Sequence, residues 1–326
     1  MQEEKRDVMK KIYPKSIDQL IDRLRLKKLK IGNVDFAKKI IYKVGYSGIK
    51  QYRLPLYDIN KREYIKNATI NDIKIIYEFD LDLKMLFLKY FLVIENLFRD
   101  AFNYIVYEKI KTKSPMSRDL FNCKGQSKDI GNFNIFRKEC EKNARNRIKW
   151  NARYLKEGYE IPSWILFDSF NMGYISKYYE FLEWDYKKSI SEYISENRKI
   201  NIKAKWILSF LKSLKYARNL CVHNEPLFSN IDYEIQPESV KSFDKLYSKK
   251  EMKSNDVFNK GLFSYIIILK YFLDKENFKS FFKSFKKILN KLRKRISKKT
   301  YNEVFKIIKM PHKYKRIVNM EVNENE

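Results

Sequence analysis

Apolar residues recur at spacings of three and four along most of the chain, which is the pattern of amphipathic helices. The longest such region covers residues 71–107, and similar patterns cover residues 34–42, 204–220, 257–273 and 278–296. Strict polar and apolar alternation is almost absent, and only 8 Gly and 7 Pro interrupt the pattern. The sequence therefore predicts an all-α fold.

The pattern also predicts where elements begin and end. Ser16 is placed to cap a first helix, whereas residues 45–58, with two glycines and a proline, favour a loop or a short extended element. A single helix is predicted to start at Pro162 and to bury Trp164, Phe167, Phe170 and Tyr174. Further expectations are a main break at residues 111–132, a mostly solvated basic helix at residues 136–156, and a fraying tail after Met310.

These elements suggest three regions. We expect an N-terminal helical region over residues 1–70, a helical core over residues 71–230 and a basic helical extension over residues 231–326. Hydrophobic residues make up 44% of the chain and aromatic residues 16%, so it has enough apolar surface to form a core despite 33% charged residues.

The chain carries 69 Lys and Arg against 40 Asp and Glu, a formal net charge of +29. Such an excess favours a polyanionic partner, and RNA is the partner we expect. An AT-rich genome would also enrich Lys, although it would raise Asp and Glu as well. An anionic membrane surface is a further alternative.

Several classes of site have no support in the sequence. Cys123, Cys140 and Cys221 form no CxxC pair and the chain has 2 His, which argues against a disulfide framework and a zinc site, and no metal or cofactor is expected. The charged N-terminus lacks the apolar segment of a secretory signal, and the apolar run at residues 261–273 is too short to span a membrane. We expect a cytoplasmic protein.

The densest candidate for chemistry is YARNLCVHNEP at residues 216–226. A neutral His223 suits removal of a proton from a ribose 2′-hydroxyl, Arg218 suits the phosphate charge, and Asn219 is placed to hold the imidazole. An unbroken helix separates Arg218 and His223 by about 140°. Fraying after Leu220, or a second copy of the chain, would bring them together.

The same residues also have a purely structural interpretation. Arg218 and His223 are well placed to cap the C-terminus of a helix, where positively charged side chains interact favourably with the helix dipole. Glu95 and Arg99 are four residues apart, which predicts an ion pair and leaves a supporting role at the site as an alternative.

Two basic helical faces are candidates for phosphate contact. They lie at residues 138–156 and 278–299, and the second also has the pattern of an amphipathic helix on a membrane surface. The candidate RNA-binding residues are Arg145, Arg147, Lys149, Lys286, Lys287, Arg293, Lys294 and Arg295.

RNLCVHN, after an apolar helix and before a proline, resembles the R-x4-6-H signature of the HEPN superfamily. The surrounding chain resembles the abortive-infection (Abi) bacteriophage-resistance proteins of the AbiD/AbiF type. The resemblance covers residues 16–228 in order, through SIDQLIDRLRLKKLKI, QYRLPLY, IYEFDLDLKMLFLKYFLVIENLFRD, PSWILFDSFNMGYISKYY and ARNLCVHNEPLF. Asp168 stands where we expect a Glu, and about the last hundred residues match nothing in the family pattern.

The resemblance implies a HEPN-like helical bundle that forms a homodimer, with a composite site built from Arg218 and His223 of each copy. We expect Asn219 and Asn224 to be the positioning residues of this site. It further implies a metal-independent endoribonuclease toxin used in phage defence. Relatives of this type can be encoded beside a structured noncoding RNA that restrains them. Two alternatives stay open: a noncatalytic module that holds a structured RNA, and a toxin that acts on membranes through residues 278–299.

Overall fold

The computed structural model describes residues 16–111, 114–122, 127–147, 161–230, 234–246 and 260–320. Helices account for nearly all of the regular structure in these ranges, and the strands there form one two-residue hairpin. The all-α prediction is confirmed. The described residues divide into two compact units: unit 1 comprises the chain up to Phe79 together with Leu292–Tyr301, and unit 2 comprises Asp80–Lys291 and the chain from Asn302 onward.

Unit 1 begins with three short helices and a hairpin. Ser16 caps the first helix through a reciprocal pair of hydrogen bonds with Gln19, as its position predicted. Tyr57 pairs with Tyr64 across the hairpin, and the long helix α4 starts soon afterwards. The elements are α1 (Ile17–Leu26), α2 (Val34–Val44), α3 (Tyr46–Tyr52), a 3-10 turn (Leu54–Leu56), β1 (Tyr57–Asp58), β2 (Glu63–Tyr64) and α4 (Ile70–Ile105).

The prediction of a loop or extended element over residues 45–58 was wrong for its first half. Gly45 adopts a φ of 75°, which ends α2 and lets a new helix start at once. α3 forms because Ile49 and Tyr52, three residues apart, are both buried. The glycine therefore separates two helices instead of opening a loop.

Unit 2 is built around the remainder of α4. A π-helical turn (Val106–Ile110) extends α4, and the chain then forms further helices. These are a 3-10 turn (Arg118–Leu120), α5 (Ser127–Arg147), α6 (Ser163–Asp168), α7 (Met172–Phe181), α8 (Trp184–Arg198), α9 (Ala204–Val222), a 3-10 segment (Pro237–Leu246), α10 (Leu262–Phe272), α11 (Lys275–Arg295), α12 (Lys298–Ile307) and a final 3-10 segment (Tyr314–Asn319). The end of α11 and the start of α12 belong to unit 1, which includes Leu292–Tyr301.

Four further predictions need correction. The single helix expected after Pro162 is two helices, because Asn171 caps a new one by accepting hydrogen bonds from the backbone N–H groups of Gly173 and Tyr174. Trp164 is exposed instead of buried. α5 starts before residue 136 and buries one face, which includes Phe133 and Phe136. The tail does not fray directly after Met310, because Ile317 is fully buried.

The core of unit 2 positions α9 against α4 and α7. Its aromatic centre includes Phe102, whose ring lies 4.7 Å from that of Tyr178 on α7. The apolar side chains of α9 that the sequence assigned to the interior are all buried, as expected. Phe210 on α9 packs 5.4 Å from Tyr271 on α10. The buried face of α9 thus packs against other helices of unit 2.

The amphipathic stripe of α11 is buried within the protein. Phe278, Phe281, Phe282 and Phe285 are all at most 1% exposed, and Lys and Arg side chains cover the opposite face. This removes the free apolar face that insertion into a membrane surface requires. None of the described helices is long and apolar enough to cross a membrane.

Candidate functional site

The helix that carries the candidate motif does not fray after Leu220. α9 continues to Val222, and His223 is its C-cap, with its backbone N–H donating to the Asn219 carbonyl at 2.9 Å. Asn224 adopts a φ of 57°, and the Glu225 N–H returns to the Leu220 carbonyl at 2.9 Å. Fraying therefore does not bring Arg218 and His223 together within one chain.

Arg218 points toward a buried carboxylate on α4. Its Nε lies 3.6 Å from Glu95 Oε1, and Arg99 Nη2 lies 3.6 Å from Glu95 Oε2. Glu95 is 2% exposed. The predicted Glu95–Arg99 ion pair is present, and Arg218 joins it from α9. One carboxylate between two guanidinium groups leaves this cluster with an excess positive charge.

The Glu95 cluster is fixed by the backbone on either side of α7's start. Met172, the first residue of α7, donates its N–H to Glu95 Oε1 at 3.1 Å, so the carboxylate lies at the positive end of that helix. Arg99 Nε donates to the Phe170 carbonyl at 2.9 Å, and its Nη1 donates to Asn96 Oδ1 at 2.8 Å. These contacts hold both charged groups of α4 in place.

A second buried pair on α4 contacts the chain just after His223. Lys84 Nζ lies 3.2 Å from Asp80 Oδ2 and donates to Asn224 Oδ1 at 2.7 Å. Asp80 Oδ1 accepts the N–H groups of Leu227 and Phe228 at 2.9 and 2.8 Å. Because Arg218 meets Glu95 and Asn224 meets Lys84, the motif runs antiparallel to α4 and is attached to it at both ends.

The remaining motif residues differ in exposure. His223 is exposed, and no hydrogen bond or ion pair joins it to Arg218 among the described residues. Asn219 is half-buried and reaches His223 through its backbone carbonyl, an ordinary helical contact. Burial, with the charge of Asp80 adding to it, raises the pKa of Cys221 to about 12, so this thiol is not a nucleophile at neutral pH.

The capping interpretation applies to part of the motif. His223 does end α9, but Arg218 pairs with the Glu95 side chain. Within the described ranges, no group of three or more His, Cys, Asp or Glu side chains is arranged to hold a metal ion.

The basic residues fall into three groups. Lys286, Lys287, Arg293 and Lys294 are exposed on α11. Arg295 is already paired, since its Nη2 lies 2.8 Å from Glu78 Oε2. On α5, Arg145 is half-buried and Arg147 is the last residue of the helix, while Lys149 lies outside the described residues.

Sequence reasoning missed Asp80 and Lys84. A signal was present, because Asp80 follows Ile73 and Ile76 at helical spacing and precedes Leu83 and Phe87, so a charge stands on the apolar stripe of α4. A charge at such a position needs a buried partner, and Lys84 one turn later provides it.

The family model for Abi-like proteins matches residues 39–229, more than half of the chain, and the match ends just after the motif at residues 216–226. The chain belongs to the Abi-like protein family. No curated protein and no solved structure was found to match it. In this Abi-like protein the matched region contains every residue of the Asp80, Lys84, Glu95 and Arg218 contacts, whereas α11 and its basic face lie beyond it.

Proposed function

We propose that this Abi-like protein acts in phage defence as a metal-independent endoribonuclease, with Arg218 and His223 as its catalytic residues. Two observations carry the proposal together: the positively charged cluster of Glu95, Arg99 and Arg218, and the exposed imidazole of His223 at the end of α9, the helix that also carries Arg218. A phosphate and a proton acceptor are the two needs of RNA cleavage without a metal.

The proposed reaction is a transesterification. Neutral His223 takes the proton of a ribose 2′-hydroxyl, whose oxygen forms a bond to the adjacent phosphorus while the bond from phosphorus to the 5′-oxygen breaks. The leaving oxygen takes a proton from a protonated imidazole or from water. Arg218 stabilises the charge on the phosphoryl oxygens. The products are a 2′,3′-cyclic phosphate and a 5′-hydroxyl.

A second copy of the chain completes the site in this proposal. α9 is helical through Val222, so Arg218 and His223 of one chain face directions about 140° apart. Beside them α4 exposes an apolar stripe at helical spacing, formed by Leu81, Met85 and Leu92. Val222 on α9 is exposed as well. A two-fold pairing through this face would cover the stripe and bring His223 of one copy toward Arg218 of the other.

Cleavage tests the chemical part of the proposal. Purified protein is incubated with single-stranded RNA in EDTA, and the ends of the products are mapped. We expect cyclic phosphate ends from the wild type, and a loss of at least about a thousandfold in His223→Ala and Arg218→Ala. His312→Ala, which removes the other histidine of the chain, is the matched control and should cleave normally. Cleavage that survives His223→Ala would contradict the proposal.

The two-copy part has its own test. Met85→Glu and Leu92→Glu place charges on the α4 stripe and should give monomers by light scattering that no longer cleave RNA. Ile135→Glu, at an exposed apolar position on α5, is the control and should stay dimeric and active. Monomers that cleave at the wild-type rate would show that one chain suffices.

The noncatalytic RNA-binding module is the second candidate, and the exposed lysines of α11 favour it. On this proposal the protein holds a structured RNA, and the Arg218 cluster has a structural role only. It predicts that wild type and His223→Ala bind RNA with equal, salt-sensitive affinity and that neither cleaves it, even after copurified RNA has been removed.

A further inference from the structure

The Asp80–Lys84 pair has no part in the proposed proton and phosphoryl transfers, although it is among the most buried charged groups of the described chain. The two side chains are 0% and 3% exposed. A buried ion pair loses much hydration, and an apolar pair of similar volume often stabilises a protein as well. Stability alone is therefore a weak reason for two charges on the buried face of α4.

The contacts of this pair converge on the chain immediately after His223. Lys84 holds the Asn224 side chain, and Asp80 holds the backbone of Leu227 and Phe228. Asn224 lies in the left-handed region with a φ of 57°, where the chain leaves the helix. On the other side, the N–H of His223 is bonded to α9. The backbone of His223 is thus fixed from both directions.

We propose that Asp80 and Lys84 are positioning residues that set the direction of the His223 imidazole by holding Asn224 and the turn that follows it. This inference rests on the proposed function for its catalytic consequence. The imidazole is exposed and has no hydrogen bond of its own among the described residues, so its direction depends on the backbone that carries it.

The physical consequence is a loss of alignment when the Lys84 contact is removed. Residues 223–225 would then lose the hydrogen bond that joins Asn224 to α4, and the imidazole would sample more directions. A misplacement of about 1 Å at a reacting group can cost on the order of a hundredfold in rate. Folding should change little, because the buried carboxylate keeps its bonds to Leu227 and Phe228.

Histidine NMR tests this directly, because the chain has 2 His and each gives a separate Cε1–H signal. Asn224→Gly removes the acceptor of Lys84 and keeps the left-handed backbone. We expect the His223 signal to shift or broaden while the His312 signal stays in place, with kcat reduced about tenfold to a hundredfold and KM within about twofold.

Two further variants separate positioning from a merely structural role. Asn224→Asp restores an oxygen acceptor for Lys84 and should return the His223 signal and kcat toward wild type. The double variant Asp80→Asn with Lys84→Met removes both charges together and should reproduce the Asn224→Gly signal. Lys212→Met, which removes an exposed pair with Glu180 from α9 itself, is the control and should change neither signal.

The outcomes keep this inference distinct from the ribonuclease proposal. A His223 signal equal to wild type in both Asn224→Gly and the double variant overturns the positioning role. So does a signal that Asn224→Asp fails to restore. If the wild type cleaves no RNA, the ribonuclease proposal fails by itself, and the NMR signals still decide whether Asp80 and Lys84 orient the imidazole.

Discussion

The end of α9 and the outer face of α11 both concentrate charge, but in opposite ways. At the end of α9, Arg218 contacts the buried carboxylate of Glu95, and Asn224 accepts a hydrogen bond from the buried ammonium of Lys84. Each of these contacts requires that particular side chain of α4. On α11, lysines such as Lys287 and Lys294 are exposed and make no ion pair within the described chain. The contacts at the end of α9 hold particular atoms in place. The exposed lysines of α11 together produce a positive electrostatic potential to which each lysine contributes in the same way.

Removal of Glu95 should have the largest effect on stability at the end of α9. Glu95→Ala leaves Arg99 and Arg218 next to each other without the carboxylate, and we expect a loss of about 3 kcal/mol in the free energy of unfolding. Denaturant unfolding followed by circular dichroism measures it. The control is Glu180→Ala, whose exposed pair with Lys212 should contribute less than about 0.5 kcal/mol. Equal losses in the two variants would show that burial makes no difference.

Removing charge from α11 should affect RNA binding instead of folding. For the triple variant Lys286→Gln, Lys287→Gln and Lys294→Gln, we expect the slope of log affinity against log salt to flatten by about 2, since each phosphate contact to a single strand contributes about 0.7. Fluorescence anisotropy with labelled RNA at several salt concentrations gives the slope.

The free energy of unfolding of this triple variant should stay within about 0.5 kcal/mol of the wild-type value. Lys188→Gln on α8, whose partner Asp185 is exposed, serves as the single-charge control and should leave the slope unchanged. An unaltered slope in the triple variant would exclude α11 as the RNA-binding face.

Arg295 lies between the two extremes, because its pair with Glu78 is only partly exposed. Burial raises the pKa of Glu78, but the hydrogen bond and charge of Arg295 and the charge of Lys74 outweigh it, so this pKa lies below its ordinary value of 4.5. A lowered carboxyl pKa adds stability above about pH 4.5 and loses it as the pH falls through the folded value.

We therefore expect Arg295→Gln to lower the free energy of unfolding by less than about 1 kcal/mol at pH 7. The difference in this free energy between the variant and the wild type should vanish in acid. Urea unfolding at pH 7, 5 and 3 checks this. The control is Lys298→Gln, a neighbouring exposed charge, which should follow wild type at each pH. A difference that grows in acid would contradict the assignment of the pair.

The smallest expected effect concerns Cys221, inside the motif. With a pKa of about 12, roughly one thiol in ten thousand is ionised at pH 8, so iodoacetamide should leave Cys221 unmodified in the folded protein and alkylate it in denaturant. Mass spectrometry of the peptides reads this out. Rapid alkylation of Cys221 in the folded state would show that the end of α9 is more open than its contacts indicate.

Local sequence patterns predicted the helices of this protein better than they predicted the contacts between them. The period of the apolar residues located α4, α9 and α11, and the Ser16 cap was visible in the sequence. Gly45 was misleading, because a left-handed glycine both ends a helix and allows another to follow. The prediction of a single helix after Pro162 was wrong because Asn171 caps a second helix through the N–H groups of Gly173 and Tyr174.

The candidate site was harder to predict, because its contacts join distant parts of the chain. The i,i+4 spacing of Glu95 and Arg99 predicted their pairing, but no local pattern shows that Arg218 comes to the same carboxylate. Lys84 and Asn224 are likewise separated by 140 residues. Such pairings depend on how α4 and α9 pack, which is a property of the fold and not of either segment alone.

α4 is one uninterrupted helix of 36 residues, and this continuity sets the length of the segment between its two attachment points. Lys84 and Glu95 are eleven residues apart, about 16 Å along the axis and within about 20° around it. Inserting or deleting one residue between them would turn one attachment point about 100° away from the other. A substitution between Lys84 and Glu95 leaves this spacing unchanged. An insertion or deletion there would separate Asn224 from Lys84 or Arg218 from Glu95.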